Sequence, residues 1–121
     1  MLAWTTIAYG AALSALLAVV FTLAVRVHGP AVLLAVAVGT LGGPIAWNAI
    51  LRATMADQFF VDAPIPVFPV SWQDTGSGVF TLAALALTLG LGPLRTDTGG
   101  RVARLAALGA FAALLVDTYL Y

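Results

Sequence analysis

Residues 47–78, WNAILRATMADQFFVDAPIPVFPVSWQDTGSG, form the one long interruption in an otherwise apolar chain. The stretch collects Asp57, Asp62 and Asp74, the prolines Pro64, Pro66 and Pro69, and the aromatic residues Trp47, Phe59, Phe60, Phe68 and Trp72. Three prolines so close together deny the backbone the N–H groups that a helix needs, so residues 62–69 are predicted to be extended or polyproline-like. Ser71-x-x-Asp74 has the spacing of a capping box, which marks Ser71 or Asp74 as the N-cap of a helix to follow. On both sides of the stretch the chain stays apolar for long enough to cross a bilayer.

Upstream, helix 2 is predicted over about residues 30–53, with Pro30 suited to its first turn. Gly39 and Gly43 form a GxxxG pair beside Gly42, a small-residue surface that lets another helix come close. That surface serves either packing within the chain or association of two copies. Pro44 predicts a kink or a local loosening, and residues 52–60 are a candidate extension of the helix along the membrane interface. Helix 1 covers about residues 3–27 and ends at Gly29-Pro30. About 25 residues at 1.5 Å each reach about 37 Å, enough to span roughly 30 Å of hydrocarbon with tilt. Downstream, helix 3 is predicted over about residues 76–94 and is closed by Gly92-Pro93. Helix 4 follows the polar turn RTDTGG, over about residues 101–121. The predicted fold class is an all-α membrane protein: a four-helix transmembrane bundle in one domain, residues 1–121, with an ordered Pro- and aromatic-rich loop, about residues 54–75, between helices 2 and 3.

Composition agrees with that class. The 121 residues are 62% hydrophobic and 8% charged, against roughly 45–50% and 25% in soluble chains. A soluble domain of this size cannot cover so much apolar surface with so few charges, whereas a lipid bilayer solvates it. Lys and Glu are absent and every charge is Arg or Asp, a bias that suggests a GC-rich genome and hence a bacterial cell membrane. The formal net charge is zero, so nucleic-acid binding is not implied. The chain has no cysteine, which removes disulfides and thiolate metal sites. No basic segment precedes Trp4, and the first apolar run exceeds the roughly 7–15 residues of a cleavable signal core, so helix 1 is expected to stay in the mature protein.

The two tight turns hold Arg26, Arg95, Arg101 and Arg104 with His28, while Arg52 lies at the other end. The positive-inside rule therefore places both turns in the cytoplasm, with the N-terminus, the long loop and the C-terminus outside. Trp4, Tyr9, Trp47, Phe59, Phe60, Phe68, Trp72, Phe80, Tyr119 and Tyr121 gather toward that outer side. A loop so rich in aromatic residues is expected to lie on the membrane or fold back over the helices.

The outer side also collects a candidate polar cluster: Asn48, Arg52, Asp57, Asp62, Asp74 and Asp117, with Gln73 nearby. Carboxylates in such a group suit a hard cation or acid–base work on a lipid-linked substrate. Aspartates also cap helices and solvate loops, and this spacing matches no EF-hand or metal motif. No metal, cofactor or catalytic residue is assigned. Asp117 lies among apolar neighbours, where a carboxylate needs a partner; Arg52 is the expected one, with Asn48 as the alternative donor. His28 stands alone in its turn, on the opposite side from the aspartates.

No helix carries an ionisable residue near its middle, where ion-coupled transporters place Asp, Glu or His. The leading reading is thus a non-catalytic accessory, assembly or scaffold subunit of a membrane complex, embedded in lipid and associated with other subunits or with itself. A small oligomeric transporter or channel is the second reading. A membrane enzyme or lipid-binding protein that uses the outer aspartates is the third.

Overall fold

The structure, a computed structural model, describes residues 2–120. Four α-helices follow one another: α1 (Trp4–Ala24), α2 (Pro30–Thr54), α3 (Trp72–Leu91) and α4 (Gly99–Tyr119), with a short 3-10 turn at Asp57–Phe60. Each is long and apolar enough to cross a membrane, so that every backbone polar group inside the span bonds within its own helix. The helices run alternately up and down. Each packs on the next and α4 returns against α1; across the middle, α2 and α4 touch, and α1 and α3 lie on the longer diagonal.

The helix ends explain where the sequence-based bounds shift. α3 begins at Trp72 rather than near residue 76 because the capping box closes there: Asp74 N–H donates to Ser71 Oγ (3.1 Å) and Ser71 N–H donates to Asp74 Oδ2 (2.9 Å). Gly76 and Gly78 lie inside the helix, as the expected span of about residues 76–94 already had them. α4 begins at Gly99, with Arg101 N–H donating to Thr98 Oγ1 (3.2 Å); its expected end at Tyr121 lies outside the described residues. α1 stops at Ala24, three residues short of the expected end, since Arg26 takes a left-handed conformation (φ 65°) and Val27 N–H reaches back to Thr22 O. α2 closes in the same way: Met55 has φ 53° and Ala56 N–H donates to Leu51 O (3.1 Å). The helix therefore ends at Thr54, one residue past its expected end, and the candidate extension toward residue 60 gives way to the 3-10 turn. Pro44 sits inside α2 without ending it.

The core changes character along the bundle. Toward the tight turns it is apolar, built from Val32, Val36, Leu85, Leu89, Leu105 and Ala106. Leu85 is fully buried, wedged between the side-chain-free surfaces of Gly39 on α2 and Gly109 on α4. A turn further along, Gly43 lies directly against the α3 backbone: a Cβ there would come within 2.6 Å of Thr81 Cα and 2.7 Å of its nitrogen. Gly39 and Gly43 thus face α3 inside the bundle. Toward the long loop the core turns polar, with Asn48, Gln73, Ser77 and Asp117 buried.

The long loop folds back over that end. Tyr119 Oη donates to Val67 O (2.7 Å), and its ring meets Phe68 at 6.3 Å between centroids. Ala63 N–H donates to Val70 O (2.8 Å), which brings the two ends of the proline segment together.

Candidate functional site

The polar end is assembled by α3 starting where it does. With Trp72 as its first residue, Gln73, Ser77 and Thr81 fall four apart, on the single face that points into the bundle. The Gln73 side chain then stands between two other helices. Its Nε2 donates to Asn48 Oδ1 on α2 (3.2 Å) and to Asp117 Oδ2 on α4 (3.3 Å). Asn48 Nδ2 in turn donates to Pro44 O (2.8 Å). The three side chains are nearly inaccessible, at 1%, 4% and 2% exposed for Asn48, Gln73 and Asp117. A chain of amide and carboxylate bonds therefore ties α2, α3 and α4 across the polar end.

Trp47 closes one flank. Its indole lies over Gly76, where any side chain would collide with the ring. Trp47 Nε1 donates to Gln73 O (2.9 Å), and Phe80 and Phe59 pack against it at 5.0 and 5.8 Å. Ser77 would ordinarily bond the carbonyl four residues back, as Ser14, Thr22 and Thr40 do in α1 and α2. That carbonyl is Gln73 O, already taken by Trp47. Ser77 Oγ and Thr81 Oγ1 are buried without a hydrogen-bond partner.

Of the six residues expected to cluster, the structure brings four to one place. Asp62, Asp74 and Asp117 line a recess of about 210 Å³ together with Gln73, Ser71 and Phe60, and Asn48 stands behind Gln73. Asp57 is exposed at the start of the 3-10 turn and takes no part. Arg52 is also elsewhere. Its Nη1 donates to Leu2 O (2.8 Å) and its guanidinium lies 5.0 Å from the Trp4 ring centre, so it fastens the start of α1 instead of meeting α4. The expected Arg52–Asp117 pair is not formed: Arg52 projects toward α1, and Asp117 is served by Gln73. The ion pair among the described residues is Arg101 with Asp97 (3.1 Å), exposed at the other end, where such a pair contributes at most about 1 kcal/mol.

Sequence reading undervalues Gln73 and Trp47. The signal that finds them is the capping box taken literally, since a helix starting at Trp72 turns Gln73 inward. Chemically, the cluster offers amides and carboxylates in mutual bonds. The sole histidine, His28, is in the α1–α2 turn at the far end. Among the described residues no group of three or more His or Asp is arranged to hold a metal ion.

The fold and this end together define a four-span helical membrane protein, surrounded by lipid. Comparison with protein-family models, with curated proteins and with solved structures finds no match for the chain.

Proposed function

We propose that this protein is a non-catalytic accessory, assembly or scaffold subunit of a membrane complex. The observation that carries the reading is how its polar side chains are used. Asp74 is engaged in the α3 cap, Gln73 joins Asn48 to Asp117, and Arg52 fastens α1. These bonds hold helices in place, where a catalytic site would present its groups to a substrate. The outward surface of the spans is broad and apolar, with Leu16, Leu34 and Leu87 each more than 60% exposed, and it suits the packing of further transmembrane helices. The chain acts as a single domain with both tight turns in the cytoplasm, in keeping with Arg26, Arg95, Arg101 and Arg104 at that end. Its Arg/Asp-only charge set favours a bacterial cell membrane.

The test is photo-crosslinking of the full chain in its native membrane from Leu34 and Leu87, followed by extraction into lipid nanodiscs. The reading expects one other membrane protein captured at fixed stoichiometry. Capture of lipid alone would overturn it, and capture of a second copy alone would replace it with self-assembly.

A further inference from the structure

On the outer surface of the bundle, α3 and α4 part to leave an apolar groove of about 250 Å³. Gly78 and Ala110 form its floor and Val79, Leu82, Phe111 and Leu114 its walls. At this level Gly78 brings no side chain to the seam between the two helices: a Cβ there would rest 3.5 Å from Ala110 O. At its loop end the groove reaches Thr75. That same residue lines a second recess, of about 300 Å³, formed by the loop and the start of α3, with Asp62, Ser71 and Trp72 among its walls. Thr75 is therefore the joint between an apolar slot along a membrane span and a recess at the polar end of that span.

The shape is that of an amphiphile, and the charge selects the headgroup. Among the described residues of the recess wall, Asp62 is the charged one. Asp62 also borders the neighbouring recess, on which the capping carboxylate Asp74 lies. Arg52, the arginine at this end, is turned away toward Leu2 and Trp4. A headgroup ending in a protonated amine finds a carboxylate partner here, and one bearing only phosphate and hydroxyls meets like charge. Trp72, 70% exposed at the mouth, has the amphipathic ring that settles at headgroup depth. We propose that the α3–α4 face binds a bilayer phospholipid with an amine-terminated headgroup, its acyl chain in the groove and its amine on Asp62.

This site does not depend on the accessory reading, and its test uses the isolated full chain. The protein is reconstituted in nanodiscs with equal parts of phosphatidylethanolamine, phosphatidylcholine and phosphatidylglycerol, and the lipids that remain bound are weighed by native mass spectrometry. Retained lipid should be enriched in phosphatidylethanolamine over phosphatidylglycerol. Asp62 is exposed, so Asp62→Asn keeps the fold, and it should lower that enrichment about two- to fivefold, the range of a partly exposed ion pair. Val79→Trp, at a position 57% exposed, fills the groove and should lower retention of all three lipids while leaving their ratio unchanged. Equal retention of the three lipids by the unmodified chain would overturn the proposal. So would an enrichment that Asp62→Asn leaves intact, or total retention that Val79→Trp leaves intact.

Discussion

Gln73 gives with its side chain and receives with its backbone: the amide bonds Asn48 and Asp117, and the carbonyl accepts the Trp47 indole. Removing it takes a donor from two buried acceptors at once. Gln73→Leu is expected to lower stability by about 1–3 kcal/mol, the usual result of stranding a buried polar group, read as an earlier loss of helicity in a denaturing-detergent titration. Asn48→Leu should lose less, because the lost bond is one of two that Gln73 donates. The double variant should fall short of the sum by about 0.5–1.5 kcal/mol; additive losses would mean that the bond between the two amides contributes nothing. None of this network is legible residue by residue. The sequence places Asn48, Gln73 and Asp117 near the same end, but hydropathy says nothing about which helix faces meet. Arg52 shows the same limit: charge complementarity points it at Asp117, while the direction in which it projects from α2 sends it to α1.

Between α2 and α3 the packing depends on what glycine omits. At Gly39 an added methyl would meet side-chain atoms, Leu85 Cδ2 at 2.6 Å and Thr88 Oγ1 at 3.0 Å, which yield more readily than a backbone even in a tight core. At Gly43 it would meet the main chain of Thr81 at 2.6–2.7 Å, and a main chain cannot swing. Gly43→Ala should therefore cost more than Gly39→Ala, by about 1–3 kcal/mol in the manner of an overpacked core, measured as the difference in thermal midpoint in one detergent. Equal effects at the two sites would mean that α2 shifts as freely over one contact as over the other. At this scale the sequence is more informative. Four apolar runs separated by Gly-Pro pairs or by the proline loop are enough to count the helices, since length and hydropathy are local properties. Their ends are less legible. Residues 72–75 read as the end of the loop, yet they are the first turn of α3; within that helix Gly76 makes room for an indole and Gly78 for a neighbouring helix, and both demands come from tertiary structure. The left-handed closures at Arg26 and Met55 leave no mark either, because the sequence offers no glycine at those positions.

For the molecule as a whole, the long loop and the tight turns are at opposite ends of the bundle, so they face opposite compartments. Val67→Cys, at a position 82% exposed, and Thr96→Cys in the α3–α4 turn should label oppositely with an impermeant thiol reagent in intact cells. The arginine distribution predicts that residue 67 reacts and residue 96 does not; the reverse pattern would invert the orientation. The bundle is also unequal in how its members are fastened. The Asn48–Gln73–Asp117 chain and the Leu85 wedge involve α2, α3 and α4. α1 joins through a stripe of small residues, Gly10, Ala11, Ser14, Ala15 and Ala18, through the stack of Phe21 on Phe111 of α4, and through the Arg52 clasp on Leu2 just before its start. Disassembly should then follow an order, with α1 peeling away first and a three-helix remnant outlasting it. In a denaturant ramp, a probe pair on α1 and α4 should separate before a pair on α2 and α3, and Arg52→Gln should bring the first event forward while leaving the second where it was.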